Sequence, residues 1–406
     1  MTLMPHTGTI PSSPALGSNL LCGLSAPGIS LGHQQGTPCK KKGVITMNHT
    51  FAIVLAAGRG TRMNSDTHKV LHPLCGKPMM RYVIDSLKTA EIDRLLVVIG
   101  AHAEQIKEEL GLETEYVLQE RQLGTGHAVM QARQSIGLTG CTLVCNGDTP
   151  LVTSDTYKSL LSAHQQSGAA ITMVTATVDN PSGLGRVVRN DMGEVIRVVE
   201  EKDATAAEKM IHEINSGLYC FANSVLFSLL EQVRNDNAQG EYYLTDCIHI
   251  AKAMGLPVHT VSVADPYEIS GINDRIQLAQ LEKKLRNTIN ETHMKNGVTL
   301  IDPDTTYIDA AVSIGKDTVI GPGVTVSGAT TIGKNCFIGP GCLIDCSIVG
   351  ERAALHQAIV RNTVIAEDET VGFVAGVSTA SPASLPQANY AVHVQTNPLY
   401  ANSRQA

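Results

Sequence analysis

The sequence predicts an α/β protein in which a doubly wound, mostly parallel sheet is followed by a short left-handed parallel β-helix. Between residues 51 and 145, short apolar runs alternate with amphipathic stretches, a pattern typical of parallel strands covered by helices on both faces. From residue 308 onward, isoleucine or valine recurs every six positions, which is the period of a β-helix with three short strands per coil. The two patterns indicate two different architectures in one chain.

The composition fits a folded protein of two domains. The chain has 406 residues, of which 43% are hydrophobic and 17% are charged, far from the composition of a disordered chain. The formal net charge of -7 gives no attraction to nucleic acid or to an anionic membrane, so any phosphate binding must be local. We therefore expect neither nucleic acid nor a membrane among its partners.

Cysteine spacing and the length of the apolar runs indicate in which cellular compartment the protein is expected. None of the ten cysteines forms the paired Cys-x-x-Cys spacing of a zinc site. No apolar run reaches the roughly 18 residues that a membrane span needs. We interpret the cysteines as reduced thiols and expect a cytoplasmic protein.

The first part of the chain divides into a leader and the α/β domain. Residues 1–46 are rich in Gly, Pro and Ser and show no periodicity, so we expect a disordered leader, with Met47 as a candidate start of translation. The α/β domain is expected over residues 47–285. Its predicted strands are 51–57, 94–100 and 142–145, its predicted helices are 79–89 and 103–110, and longer β elements are predicted at 168–178, 186–200 and 214–220.

A helix from Asp274 to about Asn290 is expected to close this domain. Its predicted apolar face consists of Ile276, Leu278, Leu281 and Leu285. We expect a linker over residues 286–303, the β-helix over 304–380 and an irregular tail over 381–406.

The β-helix prediction depends on residues that repeat in phase. The inward-facing positions are predicted to be Ile308, Ile314, Ile320, Val326, Ile332, Ile338 and Ile344. The register slips at residues 350–355 and resumes at Ile359, Ile365 and Val371. We interpret the slip as a loop that protrudes from one corner of the β-helix.

The strongest chemical signal follows the first predicted strand. It reads Leu55-Ala56-Ala57-Gly58-Arg59-Gly60-Thr61-Arg62-Met63, with Lys69 seven residues beyond Arg62. Small side chains let backbone N–H groups approach a triphosphate, and the two basic side chains supply charge against a leaving pyrophosphate. A Gly-x-Gly alone is weak, since it also suits a tight strand-to-helix turn, and the segment lacks the ending of a Walker loop.

The segment resembles the signature of sugar-nucleotide pyrophosphorylases, and four further segments agree with that family in order and spacing. These are residues 119–127 (Gln-x-x-Gln-Leu-Gly-Thr-Gly-His), 146–148 (Asn-Gly-Asp), 240–246 (Gly-Glu-Tyr-Tyr-Leu-Thr-Asp) and 271–274 (Gly-Ile-Asn-Asp). Together, over roughly residues 50–290, they are similar to the uridylyltransferase half of GlmU-type enzymes. The resemblance implies a nucleotide-diphospho-sugar transferase fold, with residues 47–285 as the nucleotidyltransferase domain.

The resemblance also implies the reaction and the site. UTP and N-acetylglucosamine 1-phosphate would give UDP-N-acetylglucosamine and pyrophosphate, for cell-wall and lipopolysaccharide precursors. Arg62 and Lys69 would be catalytic, and Asp148 and Asn273 would hold Mg²⁺ through oxygen atoms. The implied nucleotide-binding residues are Leu55, Ala56, Ala57, Gly58, Gly60, Thr61, Gln119, Gln122, Gly124 and Thr125. The implied sugar-binding residues are Gly185, Glu200, Asn215 and Tyr243, and less securely Thr245.

The sequence departs from the family at several points. Asn146 stands where an aromatic residue is common, and His68 stands where a proline commonly precedes the lysine. The family's acetyltransferase motifs do not appear after Tyr307, so we expect no acetyltransferase activity. The β-helix would then serve assembly, with a homotrimer or a monomer as the outcome.

The sequence is also compatible with other functions. A related pyrophosphorylase could use glucose 1-phosphate or dTTP. From a different class, the β-helix could act as an acyltransferase or a regulatory scaffold beside a decayed first domain.

Overall fold

Strand β1, Thr50–Ala56, lies at the centre of a nine-stranded mixed sheet. It pairs in parallel with β4 (Arg94–Ile99) on one side and with β6 (Cys141–Asn146) on the other. Strand β5, Glu115–Leu118, extends the parallel part beyond β4. Consecutive apolar residues form β1 because both faces of this strand are covered.

The computed structural model describes residues 49–58, 60–100 and 103–372. The predicted leader, the predicted tail, residues 373–380 of the predicted β-helix and Arg59 of the glycine-rich loop lie outside these ranges. The remaining strands of the α/β domain are β2 (Pro73–Leu74), β3 (Lys77–Pro78), β7 (Ile171–Thr177), β8 (Arg186–Arg189), β9 (Val195–Val199), β10 (Glu213–Ala222) and β11 (Val258–Ser262). The helices are α1 (Met79–Thr89), α2 (Ala103–Leu110), α3 (Thr125–Met130), α4 (Ser154–Ser167), α5 (Asn223–Leu230), α6 (Asp246–Ala253) and α7 (Arg275–Lys295).

Helices cover both faces of the sheet, which confirms the predicted doubly wound class. Ala52 and Val54 of β1 pack in one core with side chains of α1, α2 and α4. Phe51 and Ile53 point the other way, into a second core with α3, α5 and α6. Alternate residues of one strand therefore serve two cores, as the period of two in a strand requires.

The sheet is mixed beyond β6. Strand β10 runs antiparallel between β6 and β7, and β11 pairs in parallel with β7 at the edge. The predicted β segment 186–200 is an antiparallel hairpin, because β8 and β9 are separated by a turn at Gly193, whose φ is 79°. No helix among the described residues is long and apolar enough to span a membrane.

Helix α7 differs from its prediction at the C-terminal end and on its apolar face. It continues to Lys295, so much of the predicted linker 286–303 is helical, since the segment holds no Gly or Pro before Gly297. Leu278 and Leu281 are buried, but Ile276 is 71% exposed. Ile276 lies in the first turn of the helix and does not belong to the small core that contains Leu278 and Leu281.

The β-helix consists of three sheets of stacked short strands. Its strands are β12 (Thr299–Leu300), β13 (Tyr307–Ile308), β14 (Ser313–Ile314), β15 (Val319–Ile320), β16 (Thr325–Ser327), β17 (Thr331–Ile332), β18 (Phe337–Ile338), β19 (Leu343–Asp345), β20 (Ile348–Val349), β21 (Ala354–His356), β22 (Ile359–Arg361), β23 (Val364–Ile365) and β24 (Thr370–Gly372). The predicted inward residues from Ile308 to Ile344 point inward and stack in parallel register. The predicted β-helix is confirmed.

The predicted protruding loop at residues 350–355 is wrong. Strand β21 begins inside this segment, at Ala354, and pairs with β18 below and β24 above. The coils instead become shorter: Ile320 pairs with Ile338, and Ile338 pairs with Leu355, one residue less along the chain. The inward residue of β22 is consequently Val360, whereas Ile359 is 74% exposed.

Candidate active site

The candidate site lies at the carboxyl ends of the central parallel strands. The chain leaves β1 at Ala56 and β6 at Asn146, two adjacent strands of the sheet. Ligands of open α/β sheets bind at this edge, where the loops that follow neighbouring strands meet. The glycine-rich loop and the segment 146–148 are therefore brought together by the parallel pairing.

A cavity of about 390 Å³ opens between these loops. It brings together eight of the ten residues predicted for the nucleotide, Gly60 and Thr61 being the two outside the lining. The lining residues are Leu55, Ala56, Ala57, Gly58, His68, Lys69, Val70, Gln119, Gln122, Gly124, Thr125, Ala128, Asn146, Asp148 and Glu241.

Gly60 has a steric role in the loop. Its φ is 60° and its ψ is 33°, in the left-handed region, and a Cβ added there would lie 2.5 Å from the Cβ of Lys69. Glycine tolerates this φ, and its missing side chain leaves room for Lys69 to pass over the loop. The second glycine of the motif thus places the lysine.

Four polar side chains meet in one cluster, and two of them, Lys69 and Asp148, line the cavity. Lys69 Nζ donates to the Asp148 carboxylate and, at 3.0 Å, to Asn273 Oδ1. Arg62 donates to the same Asn273 oxygen, with its Nη2 at 3.0 Å. Arg62, Lys69, Asp148 and Asn273 are separated by up to 211 residues in sequence, yet they form one hydrogen-bonded cluster.

Local backbone contacts hold the two oxygen-bearing residues of this cluster. The N–H of Ile272 donates to the carbonyl of Asp148 at 3.0 Å, which ties the two segments together. Asp274 caps α7 by accepting from the N–H groups of Ile276 and Gln277. Asn273, the residue before this cap, is thereby fixed at the start of a long helix.

The cluster fits a divalent cation of the hard class. The Asp148 carboxylate and the Asn273 amide oxygen converge on the Lys69 ammonium, so a positive group already lies between them. Among the described residues, no group of three or more His, Cys, Asp or Glu side chains could hold a metal, so a cation bound here would take only two oxygens from the protein. Two protein oxygens suit Mg²⁺, which usually retains waters and takes its other ligands from substrate phosphates.

The two glutamines reach the cavity but use their amide N–H groups inside the protein. Gln122 Nε2 donates to the Ala57 carbonyl at 2.7 Å, and Gln119 Nε2 donates to the Gly124 carbonyl at 3.1 Å. Gln119 Nε2 also lies 2.9 Å from His127 Nδ1. Both side chains therefore fix the loops around the cavity.

His68 supports the turn that carries Lys69. Its Nδ1 accepts from the N–H of Val70 at 3.4 Å, and its own N–H donates to Gln105 Oε1 at 2.9 Å. The side chain is buried. The histidine, which stands where a proline commonly precedes the lysine, thus holds the turn through hydrogen bonds.

The segments 119–127 and 240–246 are joined by backbone contacts. Tyr242 N–H donates to the Leu123 carbonyl at 2.8 Å, and Gly126 N–H donates to the Tyr242 carbonyl at 2.8 Å. Gly124 lies between them with a φ of 105°, and a Cβ there would come within 2.7 Å of the Tyr242 carbonyl. Only glycine permits this contact without displacement of one segment.

Residues predicted for the sugar surround Glu200. A Cβ on Gly185 would meet Glu200 Oε2 at 3.4 Å, and Thr245 Oγ1 donates to Glu200 Oε1 at 3.4 Å. Asn215 N–H donates to the Gly185 carbonyl at 2.9 Å, and the Asn215 side-chain oxygen accepts from the hydroxyl of Tyr219 at 2.8 Å. Gly185 thus lies next to Glu200, and Asn215 lies next to Gly185.

A second cavity of about 520 Å³ adjoins this group. Glu200, Tyr243 and Thr245 are among its lining residues. Burial raises the pKa of the Glu200 carboxyl, and the nearby carboxylates of Asp203 and Asp246 raise it further. The carboxyl is therefore costly to ionise in this place.

Some residues of the site are not among those predicted from the sequence. Glu241 lines the first cavity, and Asn146 lies between that cavity and Gly217, where a Cβ would come within 2.5 Å of Asn146 Nδ2. Arg275 contacts the backbone beside Arg62, since its Nε donates to the Met63 carbonyl at 3.2 Å. Glu241 lies inside the segment 240–246 and Arg275 directly follows the segment 271–274, a signal that could have drawn attention to them.

The fold and the site define a nucleotidyltransferase followed by a hexapeptide β-helix. Residues 52–244 match the family model described as the MobA-like NTP transferase domain. Residues 311–355 match the model described as the bacterial transferase hexapeptide with six repeats.

Curated relatives give the family. The bifunctional protein GlmU of Geobacillus thermodenitrificans is 49% identical over 318 residues, which is 78% of this chain and 69% of that protein. The GlmU of Listeria welshimeri is 46% identical over 327 residues, 80% of this chain and 72% of that protein. The GlmU of Halalkalibacterium halodurans is 46% identical over 336 residues, 82% of this chain and 74% of that protein. The chain belongs to the GlmU family.

Among solved structures, a crystal structure described as a glucose-1-phosphate thymidylyltransferase from Bacillus anthracis matches with a TM-score of 0.48 and 20% identity. The match covers 57% of this chain and 94% of that chain. This likeness is too distant to bear on the substrate.

Proposed function

We propose that the protein is a uridylyltransferase that joins UTP to N-acetyl-α-D-glucosamine 1-phosphate, giving UDP-N-acetylglucosamine and pyrophosphate. The observation that carries the proposal is the hydrogen-bonded cluster of Arg62, Lys69, Asp148 and Asn273, which reaches the cavity lined by residues 55–58 through Lys69 and Asp148. The product would feed cell-wall and lipopolysaccharide precursor synthesis. UTP is made in the cytoplasm, where we propose that the enzyme acts.

The glycine-rich loop would hold the triphosphate. Ala56, Ala57 and Gly58 carry small or no side chains, so their backbone can approach phosphate oxygens. Arg62 and Lys69 lie beside this loop and would neutralise the charge that develops on pyrophosphate as it leaves. The uracil would lie against the segment 119–125, whose loop is fixed by Gln119 and Gln122.

The chemical step needs no general base. An oxygen of the sugar phosphate, already an anion, forms a bond to the α-phosphorus of UTP. The bond from that phosphorus to the bridging oxygen breaks in line, and its electron pair leaves with pyrophosphate. Orientation of the two anions and neutralisation of their charge would supply most of the rate acceleration.

The proposed cofactor is Mg²⁺, held by Asp148 and Asn273. When bound, the ion would neutralise charge shared by the α-phosphate and the sugar phosphate. The chain contributes the two oxygens, and Lys69 would turn from them toward the pyrophosphate.

The sugar would occupy the region of Glu200. Gly185 leaves space beside the carboxyl, and Asn215 and Tyr243 offer an amide and a hydroxyl near by. These groups suit the hydroxyl and acetamido groups of an N-acetylhexosamine. Glucose 1-phosphate lacks the acetamido group and would make fewer hydrogen bonds.

The test is pyrophosphate release from UTP with Mg²⁺, comparing N-acetylglucosamine 1-phosphate, glucosamine 1-phosphate and glucose 1-phosphate. We expect release with the acetylated sugar alone and its loss in Asp148→Ala. Preference for glucose 1-phosphate, or for dTTP over UTP, would support the runner-up pyrophosphorylase. No release with any pair would support the scaffold alternative.

Acetyl transfer is expected to be absent, although the relatives are named bifunctional. The measurement is release of free coenzyme A from acetyl-CoA and glucosamine 1-phosphate. Turnover there would overturn the expectation drawn from the residues after Tyr307.

We also propose self-association through the β-helix, with a homotrimer as the assembly. Ile348, Ile359 and Val364 are large apolar side chains exposed on its outer faces, which supports a contact between copies. Light scattering coupled to size exclusion measures the mass. A monomer at micromolar concentration would contradict the proposal.

A further inference from the structure

The segment that carries the catalytic side chains has little regular structure of its own. Residues 57–78, here called the excursion, connect β1 to α1 and contain Arg62 and Lys69. In its described residues, the longest elements are two three-residue 3₁₀ turns, Thr61–Met63 and Lys69–Leu71. A segment with so few internal hydrogen bonds takes its rigidity from the surfaces against which it packs.

Helix α7 is one such surface. Met63 and Leu74 of the excursion are fully buried and share a small core with Leu278 and Leu281 of α7. The first residue of the helix, Arg275, donates from Nε to the Met63 carbonyl at 3.2 Å. Helix α7 therefore contacts the excursion directly beside Arg62.

Arg275 also reaches the other end of the catalytic segment. Its Nη1 lies 3.4 Å from Nδ1 of His72, three residues beyond Lys69. Burial lowers the pKa of His72, and the Arg275 guanidinium lowers it further, so the ring is neutral and can accept this hydrogen bond. One guanidinium thus connects the backbone next to Arg62 with the turn after Lys69.

The β-helix is the second surface. Strands β2 and β3 form a two-residue hairpin with Cys75 and Gly76 at its tip, at φ values of 45° and 77°. The Cys75 carbonyl accepts from the N–H of Ala310 at 3.0 Å. Gly76 lies so close to Asp309 that a Cβ there would be 2.3 Å from the carboxylate Oδ2.

The two surfaces are themselves joined. Asn290 of α7 donates from Nδ2 to the carbonyls of Pro303 and Thr306 at 2.9 and 3.0 Å, and it is buried. The Arg286 guanidinium lies 4.2 Å from the ring centroid of Tyr307 in the first coil. Helix α7 and the first coil therefore act as one support for the hairpin.

We propose that α7 and the first coil of the β-helix position Arg62 and Lys69 for catalysis, through Arg275 and through the contact between Gly76 and Asp309. This assigns the β-helix a role in nucleotidyl transfer. The inference rests on the proposed function, because the effect on turnover presupposes that the enzyme transfers a nucleotide. Arg275 and Gly76 are positioning residues, and neither faces the reacting atoms.

The decisive variant is Gly76→Ala, with Gly193→Ala as its matched control. Gly193 is at the tip of another hairpin with a φ of 79°, and a Cβ there would meet nothing within 4 Å. Both substitutions bring about the same backbone strain, but only in Gly76→Ala must either the hairpin or the Asp309 carboxylate, which accepts from the Gly328 N–H at 3.0 Å, be displaced. We expect kcat to fall about tenfold to a hundredfold in Gly76→Ala, because small displacements of catalytic groups have effects of that size.

The kinetic pattern separates positioning from loss of folding. The KM for the sugar phosphate should stay within about twofold in Gly76→Ala, since no described residue of the excursion lines the cavity beside Glu200. It should also stay within about twofold in Gly193→Ala, since a Cβ there would meet nothing within 4 Å. Gly193→Ala should keep kcat within about twofold of the parent. In Gly76→Ala, replacing Asp309 with Ala should restore part of kcat, whereas the same change at Asp345, two coils further along, should restore none.

Hydrogen exchange supplies a readout that does not depend on turnover. Amides of residues 60–74 should exchange faster in Gly76→Ala than in Gly193→Ala, with β1 and β6 unchanged in both. Arg275→Ala should also make residues 60–74 exchange faster, with β1 and β6 unchanged. Arg275→Lys, which retains a donor, should restore part of the protection that Arg275→Ala removes.

The outcomes are distinguishable. If the parent does not turn over UTP and the sugar phosphate, the proposed function fails, while the exchange data still decide whether the hairpin contact rigidifies the excursion. If Gly76→Ala and Gly193→Ala behave alike in exchange or in kcat, the positioning role is overturned.

Discussion

The ammonium of Lys69 donates to the carboxylate of Asp148 and, at 3.0 Å, to Asn273 Oδ1. The two oxygens proposed for a divalent cation are therefore occupied by an ammonium of the same protein, which also neutralises the Asp148 carboxylate. A metal ion that binds there must displace the lysine, and a displaced lysine is available for a triphosphate. Metal binding and nucleotide binding should consequently be coupled through this residue.

Lys69→Met should bind a divalent cation more tightly than the parent in the absence of nucleotide. A charge-assisted hydrogen bond is worth roughly 1.5 to 3 kcal/mol, so the gain should be about tenfold or more in affinity. Binding of Mn²⁺ measured by electron paramagnetic resonance checks this. Lys88→Met is the control, because Lys88 pairs with Glu113 at the surface, away from the site. Equal Mn²⁺ affinity in the parent and Lys69→Met would show that the lysine does not compete.

Glu200→Gln should make the protein more stable at neutral pH while weakening sugar-phosphate binding. The pKa of Glu200 is raised in the folded state, so the folded protein takes up a proton more readily than the unfolded chain. Stability conferred by the protonated carboxyl is lost as pH rises from the ordinary glutamate pKa to the raised value. The glutamine has no charge to desolvate, and Tm should exceed that of the parent above this window.

Below the window, the Tm values of Glu200→Gln and the parent should converge, because Glu200 is then protonated in both states. Thermal unfolding at pH values from about 4 to 8 supplies the comparison, with KM for the sugar phosphate measured at pH 7. If the Tm of the parent instead rises relative to that of Glu200→Gln as pH increases, the expected direction of the pH dependence is wrong.

Gly124→Ala should raise the KM for UTP about tenfold or more and destabilise the domain by about 1 to 3 kcal/mol. The added Cβ would lie 2.7 Å from the Tyr242 carbonyl, so the two segments that enclose the nucleotide cavity must separate. Gly111→Ala is the control, since Gly111 also has a positive φ but its Cβ would meet nothing within 4 Å. Similar UTP kinetics in the two variants would argue against a role for the contact.

Among the described cysteines, Cys346 should react first with iodoacetamide at pH 8. It is exposed, whereas burial raises the pKa of Cys145 to about 12. Burial, with Glu282 and Asp309 near by, likewise raises the pKa of Cys75 to about 12. Because the thiolate is the reactive form, peptide mapping should find Cys75 and Cys145 unlabelled in the native protein. Early labelling of either would show that burial does not suppress its reactivity.

Strong local patterns of apolar residues allow the fold to be predicted from the sequence. The predicted helices 79–89 and 103–110 agree with α1 and α2, because amphipathic spacing and sheet packing favour the same residues. The β-helix register from Ile308 to Ile344 was equally clear, since each coil repeats the same contacts. The predicted register is wrong where the coils shorten after Ile344. One residue fewer in a turn interrupts the six-residue period of the sequence, although the strands of successive coils still pair.

The candidate site was predicted by resemblance to a family, and its contacts were not. No local sequence pattern indicates that the amide groups of Gln119 and Gln122 donate hydrogen bonds to other groups of the protein. Nor does any indicate that Arg275 contacts Met63 and His72. Such contacts join residues far apart in sequence. They depend on how the loops after separate strands are oriented, which no periodicity encodes.

By itself, the sequence determined the two architectures, their order and the residue types at the nucleotide loop, because hydrophobic period and glycine placement act over short stretches of chain. Only the tertiary structure decided that Lys69 lies between Asp148 and Asn273, and that Gly76 rests on Asp309. The reason is physical: these contacts form only when the sheet, α7 and the first coil pack together.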